Sequence, residues 1–209
     1  MMPDTLLRIA CLSSLLLLGS GVSAESLVDG SAEAGKTKST TCAACHGAEG
    51  ASVNPEWPNL AGQHAAYIVQ QLEAYKGGDR QNVLMSSQAM GLSGEDMRDL
   101  AVYFESQDLP PRAVADPELV DMGERLYRGG DLEAGVSACI ACHGPHGLGN
   151  PAANYPKLQG QHATYTTSTL KAYRSGERVS GMNKVMNHIA ERLSDEQIEA
   201  LASYVQGLR

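Results

Sequence analysis

The chain has 209 residues, 43% of them hydrophobic and only 5% aromatic, with a net charge of −8. That acidity repels phosphate backbones and anionic headgroups, which argues against nucleic acid and anionic membranes as partners and favours a basic protein partner. Of five cysteines, Cys11 lies near the start and the other four sit in two short motifs, which leaves none to pair in disulfides.

Residues 1–24 read as a secretory signal peptide. Arg8 closes a short leader, 9–18 is an apolar run holding Cys11, and Val22-Ser23-Ala24 offers small residues for cleavage. The run is shorter than the roughly 20 apolar residues that span a bilayer. The mature chain is therefore expected in the periplasm, with no transmembrane segment of its own. Export normally goes with disulfides; here covalent cofactor chemistry consumes the thiols instead.

A helix leads into Cys42-Ala43-Ala44-Cys45-His46. Two thiols three positions apart share one helical turn and can each bond a vinyl group of one heme, and the adjacent His reaches the iron from the same side. Pro58-Asn59-Leu60-Ala61-Gly62-Gln63-His64 follows, then an amphipathic helix expected over 65–75 and stopped by Gly77-Gly78. Ser93 is a suitable N-cap for a further helix, in which Met97, Leu100, Ala101 and Phe104 share one face. Pro110, Pro111 and Pro117 then prevent a continuous helix and imply an extended linker. Domains are placed accordingly at 25–108 and 118–209, with 109–117 between them.

The second half repeats the first. Cys139-Ile140-Ala141-Cys142-His143 is followed by Pro156-Lys157-Leu158-Gln159-Gly160-Gln161-His162 and a helix over 163–173 ended by Ser175-Gly176. Ser194 and Gln197 fit a capping box for a last helix, with Ile198, Leu201, Ala202 and Val205 on one face. The offset grows from 97 at Cys42/Cys139 to 98 at His64/His162 and 101 at Leu92/Leu193, the mark of small loop insertions in a duplicated domain. No alternating strand pattern occurs, so the expected fold class is all-α. Each half, roughly 85–90 residues, is small for an independent core. A buried porphyrin would supply the missing apolar area. Two covalently bound hemes c are expected, attached at Cys42, Cys45, Cys139 and Cys142, with His46 and His143 as axial ligands.

The distal ligand is argued from the repeat. The candidates are Met85, Met90 and Met97 in the first half and Met182, Met186 and His188 in the second. At the local offset of 101, Met85 falls on Met186, Met97 on the helix-face residue Ile198, Met90 on Glu191, Met182 on Gln81 and His188 on Ser87. Only Met85 and Met186 are mates that can both ligate iron. His188 is their main rival, and bis-His ligation would lower that heme's potential. His64 and His162 read as capping or surface residues, and His146 has no mate.

Both Cys-x-x-Cys-His motifs, the two Pro-x-Leu-x-Gly-Gln strings, the late methionines, Leu126-Tyr127-Arg128-Gly129-Gly130 and Tyr204-Val205-Gln206-Gly207-Leu208 together resemble the di-heme cytochrome c4 family, along nearly all of 25–209. The resemblance implies two tandem class I cytochrome c domains related by a pseudo-twofold axis, and His46/Met85 and His143/Met186 ligation. It implies that Pro58 and Pro156 offer carbonyls to the axial imidazoles, that Arg80 and Arg178 are propionate partners, and that Trp57 packs in the core.

The expected function is electron transfer without a catalysed reaction. Filled axial positions leave no vacancy for a substrate, and thioether ligation raises the potential. The resemblance implies delivery from the quinol–cytochrome c oxidoreductase towards a terminal oxidase by transient docking. Two alternatives stand beside it. One is the di-heme subunit of a flavin-dependent sulfide dehydrogenase; the other is a di-heme peroxidase or thiosulfate dehydrogenase, which would need an open or readily displaced sixth ligand, and for the thiosulfate enzyme's Cys ligation no extra cysteine exists.

Overall fold

The computed structural model describes residues 26–181 and 183–209; the expected signal peptide and Met182 lie outside them. The N-terminal half contains α1 (Ala32–Lys38), α2 (Thr40–His46), α3 (Ala65–Gly77), α4 (Val83–Met90) and α5 (Gly94–Glu105). The C-terminal half contains α6 (Val120–Gly129), α7 (Ile140–His143), α8 (Ala163–Ser175), α9 (Val185–Ala190) and α10 (Asp195–Gly207). Among the described residues no strand forms, only the isolated bridges Asp131 with Val136 and Asn150 with Tyr155. The fold is all-α, as the periodicity predicts.

Local chemistry sets the helix ends. The last helix of each half starts at a capping box, α5 at Ser93 with Asp96 and α10 at Ser194 with Gln197. The helices expected over 65–75 and 163–173 each run two residues further. They stop where Gly78 (φ 86°) and Gly176 (φ 79°) take the left-handed conformation.

Each half is built on one close helix crossing. Gly35 of α1 lies so near α5 that an added Cβ would stand 2.0 Å from Asp99 O and 2.7 Å from Tyr103 Cβ. Gly123 of α6 meets α10 in the same way, 2.3 Å from Ala200 O and 2.6 Å from Tyr204 Cβ. Around these crossings Ile68, Leu100, Tyr103 and Phe104 form one core, and Leu126, Tyr127, Ile198, Leu201 and Val205 the other. Each such apolar side chain contributes roughly 1.5–3 kcal/mol by leaving water. Trp57, expected in the core, is half-buried and belongs to neither cluster. Its position in the sequence fixes no helical face, so periodicity could not place it.

The halves are joined by an extended strap and by reciprocal hydrogen bonds between the two Pro-x-Leu-x-Gly-Gln-His strings. Gln161 receives Asn59 N–H on Oε1 and donates Nε2 to Asn59 O, at 2.8 and 2.9 Å. Gln63 does the same to Lys157, at 2.9 Å for both bonds. His64 Nε2 donates to Leu148 O and His162 Nε2 to Ser52 O, at 2.7 and 2.9 Å. Arg112, in the strap, donates to Ser52 O and to His162 Nδ1. This pairwise exchange reflects the pseudo-twofold relation of the two domains.

Candidate heme-binding sites

Both Cys-x-x-Cys-His motifs end a helix at their histidine, α2 at His46 and α7 at His143. The preceding turn carries the cysteines, and all four are half-buried. Burial pushes the Cys42 thiol up and the Cys139 thiol up to about 11.

The histidines are both 6% exposed. Pro58 O lies 2.8 Å from His46 Nδ1 and Pro156 O 2.9 Å from His143 Nδ1. A carbonyl only accepts, so Nδ1 carries the proton and the lone pair is on Nε2. Burial lowers both pKa values, against the opposing pull of the proline carbonyls. Each ring is therefore neutral at pH 7, with one nitrogen available to a metal. Tyrosines brace the loops behind the motifs: Tyr103 OH donates to Ala48 O and Tyr127 OH to Gly144 O.

The methionines separate by environment. Met85 is half-buried in the first turn of α4, where Asn82 Oδ1 accepts its N–H. Met186 is half-buried at the start of α9 and packs against the C-terminal core. Met97 is 2% exposed, a core residue of α5, and Met90 is exposed on α4. His188 lies at the surface with Nδ1 3.7 Å from Glu191, a setting that favours a solvated ring over an iron ligand.

Between the halves, four aromatic and two cationic side chains interleave. Arg80 lies over the Tyr75 ring and donates to Tyr165 OH; Arg178 lies over Tyr173 and donates to Tyr67 OH. Gln71 Oε1 accepts from both guanidiniums at 2.8 Å. Burial opposes ionisation of Tyr165, yet the two guanidiniums outweigh it and draw its hydroxyl below the usual phenol range. A place that draws a phenol towards its anion is suited to carboxylates, as the propionates of a heme would be.

His64 and His162 precede α3 and α8, yet neither side chain caps its helix. They are interdomain donors, as are Gln63 and Gln161, because each string lies against the other half rather than against its own helix end. The recurrence of Pro-x-Leu-x-Gly-Gln-His is the sequence signal for their common role. Among the described residues no group of three or more His, Cys, Asp or Glu side chains could hold a further metal ion.

Paired thiols on the turn before a neutral, Nδ1-bonded imidazole fit heme c, and two such sites on a duplicated helical scaffold define a di-heme c-type cytochrome. The cytochrome c family pattern matches residues 32–108 and 121–209. Cytochrome c4 of Thiocapsa roseopersicina is 47% identical, over 86% of this chain and 93% of that one. Cytochrome c4 of Stutzerimonas stutzeri is 43% identical, over 92% and 96%. The crystal structure of reduced recombinant cytochrome c4 from Pseudomonas stutzeri superimposes with a TM-score of 0.84 at 43% identity, over 87% of this chain and all of that one. The chain belongs to the cytochrome c4 family. It binds two covalent hemes c and is an electron-transfer protein.

Proposed function

We propose that this protein is a periplasmic carrier that takes electrons from the quinol–cytochrome c oxidoreductase towards a terminal oxidase. Domains 25–108 and 118–209, joined by 109–117, each hold one heme. Cys42 and Cys45 attach the first and Cys139 and Cys142 the second; His46 with Met85, and His143 with Met186, close the two irons. The observation that carries this reading is the pair of buried, neutral imidazoles with Nδ1 committed to a proline carbonyl. Each stands in a half that supplies a repeat-matched, half-buried methionine.

Each heme, when bound, takes up and gives up one electron at its iron. The chain's residues prepare that exchange. Pro58 and Pro156 hold the imidazole rings and raise their basicity. The thioethers of Met85 and Met186 favour ferrous iron and raise the potential. Arg80 and Arg178 offset propionate charge between the domains. The net charge of −8 steers the protein to a basic docking face on its partners, in interfaces of under about 1,200 Å². Among the described residues no helix is long and apolar enough to cross a membrane.

Met85→Ala and Met186→Ala test the ligands. Each variant is expected to open one iron to an added ligand such as imidazole and to lower that centre's potential. An unchanged spectrum and potential in either variant removes that methionine from the assignment. Reconstitution with the purified oxidoreductase and oxidase tests the partners. Electron flow that depends on this protein and weakens with salt is expected; no dependence, or copurification with a flavoprotein at fixed stoichiometry, defeats the proposed route.

A further inference from the structure

One peptide group stands behind each axial histidine, and both its ends are occupied. The Pro58 carbonyl accepts from His46 Nδ1, while the N–H of the same peptide unit, on Asn59, donates to Gln161 Oε1 of the other domain. The Pro156 carbonyl accepts from His143 Nδ1, and its peptide partner, Lys157 N–H, donates to Gln63 Oε1 across the interface. Both glutamines are buried, and each Nε2 is bonded to the backbone carbonyl of the residue its oxygen serves. The amide therefore has no freedom to turn its oxygen away. Each oxygen also accepts the N–H of the histidine that follows it in sequence, His64 or His162.

A hydrogen bond at an amide N–H draws electron density onto that amide's oxygen, so consecutive bonds in a chain strengthen one another. A stronger acceptor at Nδ1 makes the imidazole a more basic ligand, and a more basic ligand favours ferric iron. We infer that Gln161 and Gln63 are positioning residues that lower the potential of the heme in the opposite domain. Gln161 acts on the heme held by His46, and Gln63 on the heme held by His143. The arrangement links each potential to domain docking, because opening the interface removes both glutamine oxygens together. It rests on the ligation by His46 and His143 proposed above.

The test uses the full holoprotein with Gln161→Met and, separately, Gln63→Met, which keep side-chain length and lose both amide atoms. Spectroelectrochemistry reads the two midpoint potentials, and nitrogen-edited NMR reads the ring Nδ1–H of His46 and His143. Gln161→Met is expected to lower the ferric-to-ferrous ratio of the N-terminal heme about threefold at a fixed applied potential. The His46 Nδ1–H moves to higher field, and the C-terminal heme and His143 stay as they were. Gln63→Met gives the mirror result. A shift of both hemes alike, of the same-domain heme alone, or of neither overturns the inference. Should Gln161→Met yield no holoprotein, Gln161→Asn, which withdraws the amide by one methylene, is expected to give the same crossed shift. The oxidised wild type separates the two layers of the argument. If the His46 and His143 ring protons lack the paramagnetic shift of an iron ligand, the ligation reading falls and takes this inference with it; if they show it, an uncrossed result defeats the inference alone.

Discussion

Asn59 shows how much one residue can hold. It is 3% exposed, and its side chain accepts Ser52 N–H and donates to Gly160 O, while its backbone pairs with Gln161. Replacing it with Ala leaves a buried N–H and a buried carbonyl without partners, each costing about 1–3 kcal/mol. Asn59→Ala is expected to lose about 2–4 kcal/mol in denaturant unfolding of the holoprotein; a loss under about 0.5 kcal/mol would mean that water replaces both bonds. Its counterpart Lys157 makes no such side-chain bonds among the described residues, and burial lowers its pKa. The two domains thus share a backbone device but not the side chain that supports it.

At the scale of elements, the α1–α5 and α6–α10 crossings depend on having no Cβ at Gly35 and Gly123. Gly35→Ala and Gly123→Ala would each push a methyl group into a backbone carbonyl and a tyrosine Cβ. Overpacking of this kind costs about 1–3 kcal/mol, and both variants should show a lowered melting temperature. The α1–α5 crossing is also pinned by charge: Lys38 Nζ lies 2.6 Å from Asp99 and 2.7 Å from Asp96, and Asp99 accepts Ser31 N–H. The Lys38 bond, then the Ser31 bond, holds the Asp99 carboxyl below its usual range. A depressed folded pKa contributes stability that is fully present above the unfolded value near 3.8 and is lost as pH falls through the folded one. Asp99→Asn is therefore expected to flatten the acid limb of a stability-versus-pH curve; an unaltered limb would place the acid-sensitive group elsewhere.

For the whole molecule, the interface carries its own pH dependence through His162. The ring donates from Nε2 to Ser52 O and accepts from Arg112 at Nδ1, so it is held neutral. Burial lowers its pKa, the Ser52 carbonyl opposes this, and Arg112 adds to the lowering. The stability it contributes is complete above the unfolded value near 6.5 and is lost as pH falls through the lowered folded value. Thermal unfolding should thus show a fall in melting temperature on the acid side of neutrality. His162→Gln, which keeps a donor and cannot titrate, should reduce that fall; an identical fall in the variant would acquit His162. The pseudo-equivalent His64 faces a carboxylate instead, with Nδ1 4.0 Å from Glu105.

Much of this architecture is written locally. The Cys-x-x-Cys-His turns, the serine caps, the apolar faces of α5 and α10 and the duplication itself need only neighbouring residues or a fixed offset. Met97 is recognisable as core because its mate is Ile198, and the same offset singles out Met85 and Met186. Other features become visible only in three dimensions: the glutamine clasp, the interdomain roles of His64 and His162, and the crossed pairing of Arg80 with Tyr165 and Arg178 with Tyr67. Those last two pairs are 85 and 111 positions apart, and no helical period or cap reports a contact at that range. Repetition announces that two strings matter, but which atoms meet depends on how two folded halves dock, and docking is a property of surfaces that exist only after each half has folded.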